Sequence, residues 1–223
     1  MKYLFVIFIV ISILYAEDIN NDHGVPEGLA AIENNEINNV KIFINKNNVN
    51  NDNYGYTPLQ LSCKLKRYEI FLYLLKIGGN VNFKSQDSLD TLAIAASTND
   101  INIIKILIQN GININSQFNI SFQYNENKVN DRITLYRVNE ERYQSFLMVA
   151  IKHDNEELVK YLLQNNININ LQDENGETSL MKAIKYKKLS LIKILKRYNP
   201  DLKIRNVNGE SVKDYFQKYG IKY

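Results

Sequence analysis

The sequence predicts an all-α repeat solenoid, in which helix pairs stack in register through short β-hairpin turns instead of closing around one globular core. Three observations carry this. The strings Thr57-Pro58-Leu59, Asp90-Thr91-Leu92, Ser145-Phe146-Leu147, Thr178-Ser179-Leu180 and Ser211-Val212-Lys213 begin 33, 55, 33 and 33 residues apart. A fixed period in this range marks stacked supersecondary units. Residue types recur with that period at many other positions. The one departure, 55 in place of 33, leaves 22 extra residues between two units and so marks an insertion.

Each element follows from local chemistry. Thr57, or Ser and Thr at the equivalent places, caps the free N–H groups that open a first helix. Pro58 in that first turn loses no bond that was otherwise made. Leu59, Leu92, Leu147 and Leu180 recur next, then the small residues Ser62, Ala95, Ala150 and Ala183, which let neighbouring helices approach. A second helix carries Phe71, Ile104, Val159 and Ile192, followed by Leu74, Leu107, Leu162 and Leu195. Apolar residues at this spacing form one buried stripe. Gly78, Gly79 and Gly111 suit a left-handed turn at its end. The units close on Asn80-Val81-Asn82, Asn113-Ile114-Asn115 and Asn168-Ile169-Asn170. Asn makes up about one residue in seven, which reads as the codon bias of an AT-rich genome.

The string Thr57-Pro58-Leu59-Gln60-Leu61-Ser62, with Phe71, Leu74 and the closing Asn80-Val81-Asn82, resembles the ankyrin repeat, whose signature is a turn, T-P-L-H-x-A and two helices. The resemblance implies an array of about six units. Full units are expected over 51–82, 83–115, 139–170 and 171–203, with a degenerate first unit at 26–50 and a C-terminal cap at 204–223. Degenerate ends are what an array needs to meet solvent. The histidine of the motif is replaced by Gln60, Ala93, Met148 and Met181, so an internal hydrogen bond is expected to be lost and the units to be looser. The resemblance also implies a protein partner, held by the hairpin tips and the exposed side of each first helix. At matching positions these are Tyr54, Tyr56 and Arg142 on the tips, and Lys64, Lys152, Lys185, Tyr186 and Lys218 on the helices.

Spacing adds to this. Lys64, Lys152, Lys185 and Lys218 hold one offset in four of five units, and only Ser97 interrupts. Such lysines form a column that suits an acidic partner segment, unless they are ordinary solvated helix surface. The insertion, 116–138, alternates apolar and polar residues in its first arm and is β-branched and aromatic in its second, around a polar middle. It predicts an extended β-hairpin finger or a partly ordered loop. Phe118, Phe122, Tyr124 and Tyr136 are its natural contact residues, because exposed aromatics mark interaction surfaces. The alternative is a finger that folds back over the array.

At the N-terminus, Lys2 precedes an uncharged run from Leu4 to Leu14 and then Ala16-Glu17-Asp18. A basic start, a short apolar run and a small residue before a polar segment make a secretory signal. Residues 1–16 are expected to be cleaved and 17–25 to form a polar leader. The expected location is therefore periplasmic or extracellular, as for an exported bacterial protein, with an uncleaved anchor as the alternative and the only route to a membrane. Cys63 stands alone in the sequence, so no internal disulfide forms; it reads as a buried small hydrophobe. The chain carries 27 basic and 24 acidic residues; without the first 16 these become 26 and 24, a net +2 that does not argue for nucleic acid.

No catalytic constellation is present. The two histidines, His23 and His153, lie in the leader and on an exposed helix position. No His/Cys pair has metal spacing and no Gly-rich phosphate loop occurs. Asp173-Glu174-Asn175-Gly176 is a repeat turn without the further ligands of a calcium loop. The expectation is a monomeric, non-catalytic protein–protein interaction module outside the cytoplasm, with no cofactor, metal or small-molecule substrate. A passive envelope component and a secreted effector acting on host proteins stay open as alternatives.

Overall fold

The computed structural model describes residues 24–84, 91–119, 122–123, 136–137 and 143–222. The signal segment, Tyr124 and Arg142 lie outside these residues. The helices are α1 (Val25–Glu33), α2 (Ile37–Phe43), α3 (Pro58–Lys64), α4 (Tyr68–Lys76), α5 (Thr91–Thr98) and α6 (Ile101–Gln109). They continue with α7 (Phe146–Lys152), α8 (Glu156–Gln164), α9 (Ser179–Lys185), α10 (Leu189–Lys196) and α11 (Val212–Lys218). Four two-residue strands lie between α6 and α7: β1 (Phe118–Asn119), β2 (Phe122–Gln123), β3 (Tyr136–Arg137) and β4 (Tyr143–Gln144). β1 pairs antiparallel with β4 and β2 with β3.

The chain forms two compact units, residues 1–91 and 92–223. In the first, α1 packs on α2 and α3, and α3 on α4. In the second, α9 packs between α7 and α11, while α8 and α10 back the same row. The positions aligned by the period are the core. Leu59, Leu92, Leu147, Leu180, Ser62, Ala95, Ala150 and Ala183 are at most 1% exposed. Their second-helix counterparts, from Phe71 to Leu195, are at most 5% exposed. Cys63 is buried among them.

The first helices open as expected. Thr57 Oγ1 accepts the Gln60 N–H at 3.2 Å, and Gln60 Oε1 accepts the Thr57 N–H at 3.0 Å. This reciprocal box satisfies two donors at once. In this repeat it corrects the expectation of a lost bond, because the Gln60 amide supplies an acceptor in the place of the motif's histidine, whereas Ala93 has no side-chain acceptor to offer. Met181 is a weaker substitute, its sulfur 3.5 Å from the Thr178 N–H.

Left-handed positions end both helices of a pair. Gly78, Gly111, Asn166 and Asn199 follow the second helices with φ of +105°, +79°, +59° and +49°. Asn tolerates this region better than most residues. Gly79 is a correction: its own φ is not positive, and a Cβ there would lie 2.9 Å from the Leu74 carbonyl oxygen, so it is required by close approach.

The asparagines at the closing turns are structural. Within each Asn-x-Asn turn the first side chain accepts from the N–H two residues on, as in Asn168 Oδ1 to Asn170 N at 3.0 Å. The second reaches the next turn: Asn50 Oδ1 accepts from Asn80 N at 2.8 Å, Asn115 Oδ1 from Asn168 N at 2.7 Å, and Asn170 Oδ1 from Asp201 N at 2.9 Å. A short side chain with a carbonyl acceptor fits each rung.

Candidate partner-binding surface

The residue that precedes the first-helix cap lies eight positions before the column lysine, and in three repeats the fold brings the two together. Lys64 Nζ donates to Tyr56 Oη at 2.8 Å and sits 4.5 Å from the centre of its ring. Lys185 Nζ lies 2.9 Å from Glu177 Oε1, and Lys218 Nζ 2.7 Å from Glu210 Oε1. At the fourth position the residue is Gln144, and Lys152 is exposed with no partner among the described residues. Burial pushes the Tyr56 phenol up to about 12 and holds the Lys64 ammonium below its ordinary range.

Sequence reading missed the buried network behind Lys185. Lys182 is only 5% exposed, and its Nζ lies 2.5 Å from Asp173 Oδ2 and 2.6 Å from Glu177 Oε2. Asp173 Oδ1 meanwhile accepts the N–H groups of Asn175 and Glu177, which folds the hairpin around the charge. From the following repeat, Tyr215 Oη donates to Glu177 Oε1 at 2.5 Å and accepts from Asn206 Nδ2 at 3.0 Å. Burial works against the Glu177 carboxylate, but bonds from Lys182, Tyr215 and Lys185 outweigh it and hold the group below the usual carboxylate range. Burial likewise opposes the Lys182 charge, and Asp173 and Glu177 together raise it above the ordinary lysine value. Burial first, and then the bond to Glu177, raises the Tyr215 phenol.

The hairpins of these two repeats also meet directly. The Val207 N–H donates to the Asn175 carbonyl at 3.0 Å. A Cβ on Gly176 would lie 2.9 Å from Asn206 Cα, and its φ is +70°, so only glycine allows this approach. The sequence signal was present: Asp173 and Asn206, like Glu177 and Glu210, are one period apart.

A family model described as ankyrin repeats (3 copies) matches residues 9–87, 29–118 and 92–206. The chain belongs to the ankyrin-repeat family. No curated protein matched it. Ankyrin repeats generally mediate protein–protein interaction and are typically non-catalytic, so a protein partner is the expected ligand of this ankyrin array.

The remaining anticipated contact residues fall in three groups. Tyr54 and Tyr186 are 49% and 37% exposed. Phe118, Phe122 and Tyr136 lie on β1, β2 and β3, with Phe118 opposite Gln144, Phe122 opposite Arg137 and Gln123 opposite Tyr136. Tyr124 and Arg142 are beyond the described residues. Among the described residues no group of His, Cys, Asp and Glu is placed to hold a metal ion. No helix of the described residues is long and apolar enough to cross a membrane.

Proposed function

We propose that this ankyrin array is a protein-binding module that acts outside the cytoplasm and takes its partner on the exposed side of the first helices, at the inserted finger (116–138), or on both. The observation that carries the reading is the pairing of β1, near the start of the insertion, with β4, which lies immediately before α7. An insertion rich in aromatic residues is suited to gripping a protein segment, because aromatic side chains are enriched among the few residues that carry most of the energy of such contacts. The basic start, apolar run and Ala16 support export. The array is read as binding as a monomer, with no nucleic acid or small-molecule substrate.

Two experiments test this. The chain from Glu17 onward is used to capture proteins from the envelope and the culture fluid of the producing cell, beside a version with 117–138 shortened to an ordinary repeat turn. Retention by the full chain alone assigns recognition to the finger, and equal retention assigns it to the helix row. Failure of both to retain a protein overturns the module reading in favour of a passive component. Separately, N-terminal sequencing of the exported chain is expected to begin at Glu17; an intact Met1 on a membrane-bound chain overturns cleavage.

A further inference from the structure

The lysine column is not a row of available charges. Three of its members are satisfied inside their own repeat, by Tyr56, Glu177 and Glu210, each eight residues before the lysine. To engage a partner's carboxylate, these lysines must first give up an internal bond. Lys152 is different. The residue in the same place is Gln144, a neutral amide only 9% exposed, and the lysine itself is exposed and unpaired among the described residues. His153, beside it, is exposed too.

We infer that a carboxylate of an acidic partner segment docks at the exposed ammonium of Lys152, supplying the charge that Glu177 and Glu210 supply to the equivalent lysines of the next two repeats. The inference rests on the module reading above and names its point of charge recognition. Three pairings at one offset show that this lysine position and the residue before the cap form a two-part site, whose second half is a carboxylate at Glu177 and Glu210 and a phenol at Tyr56, and among the described residues Lys152 meets neither. The location is at the root of the insertion, since Gln144 belongs to β4 and pairs with Phe118 of β1. Nucleic acid fits less well. It carries closely spaced phosphates and gains affinity by neutralising many cations, whereas here Lys185 and Lys218 are already paired with Glu177 and Glu210 and the net charge is only +3.

The test uses the full chain and a short oligoglutamate peptide, read by NMR. The imidazole of His153 is a built-in reporter, since His23 is the only other histidine. Addition of the peptide is expected to shift the His153 ring and the amides around Lys152, with a response that weakens as salt rises. Lys152→Gln removes the charge, and Gln144→Glu supplies the missing carboxylate from within while keeping the lysine. Each is expected to weaken the peptide about two- to five-fold, the size of an exposed ion pair. Lys193→Gln, an exposed lysine of α10, controls for bulk charge and is expected to change nothing. Helical circular dichroism confirms that each variant folds.

A response centred on Lys185 and Lys218, no response at His153, or full affinity in Gln144→Glu overturns the inference. So does a single-stranded oligonucleotide that shifts the same signals more strongly than the peptide. Retention of a native partner undiminished by Lys152→Gln sinks this docking point and leaves the module reading standing. The peptide response without any retained protein supports the docking point and sinks the module reading.

Discussion

The junctions at Tyr56–Lys64 and Glu177–Lys185 share a backbone plan and differ in chemistry. In the first a half-buried lysine leans on a phenol, with a bond to its oxygen and the ring beneath. In the second the same lysine position meets a carboxylate that also binds a buried lysine and a tyrosine of the next repeat. The first is local to one repeat; the second ties two repeats together. An array whose units touch only their neighbours depends on such ties for cooperativity. The comparison teaches that one periodic position can serve as packing or as a latch, according to the residue eight places before it.

The largest expected effect breaks the latch. Lys182→Ala leaves Asp173 and Glu177 facing each other with their buried counter-ion gone, and removing one partner of a buried pair costs about 3–5 kcal/mol. Lys64→Ala, which removes a cation–aromatic contact, is expected to cost about 1 kcal/mol. Urea unfolding of both variants checks this, and equal losses would erase the distinction between the junctions. Tyr215→Phe comes next, at about 1–3 kcal/mol, because it takes one donor from a buried carboxylate and leaves Asn206 short of an acceptor. Hydrogen exchange should place that loss in α11 and the 204–211 turn, with α7 and α8 unchanged.

Acid separates the junctions in another way. The Glu177 carboxyl lies below its ordinary value of 4.5 in the folded chain. A depressed carboxyl contributes stability that is present above the unfolded value and lost as pH falls through the folded one. Unfolding free energy measured from pH 6 downward should therefore drop below about pH 4.5, and Glu177→Gln should flatten that part of the slope. Tyr56 titrates at the other extreme. Its phenol, raised to about 12, contributes stability below the ordinary value of 10.0 that disappears as pH climbs through the raised one. Tyrosinate absorbance taken as the difference between the parent and Tyr56→Phe isolates this phenol among the 15 tyrosines; a difference centred near pH 12 would confirm the distinction, and one centred near 10 would refute it.

The repeat core was legible because burial is periodic: a helix must place an apolar residue on the same face in every unit, and the aligned positions from Leu59 to Leu195 are those the structure buries. The candidate site was half legible. Equal offsets found the lysines, but nothing in helical periodicity couples a helix to the hairpin before it, so Tyr56, Glu177 and Glu210 went unread as their partners. Asn50, Asn115 and Asn170 looked like composition and are rungs between turns, since a hydrogen bond across repeats has no signature in a single repeat. Lys66 and Lys187 hold φ of +56° with no sign in their residue type. They sit in a turn whose shape the flanking helices impose.

The smallest effect sharpens the comparison most. Gln144→Glu converts the open junction to the composition of its two successors, and the structure sets what that addition can achieve. Lys152 is exposed, so a pair formed there is screened and is worth about 0.2–1 kcal/mol. The position equivalent to Lys182 is Val149, so the new carboxylate has no second cation from its own helix and no part in a network. Thermal unfolding is therefore expected to rise slightly at low salt and to return to the parent value at high salt. A gain that survives salt would mean that the carboxylate is buried and bound as firmly as Glu177 is, and a loss would mean that its desolvation outweighs the single lysine. In either case the residue before the cap, and not the lysine, decides whether a junction is local packing or a latch.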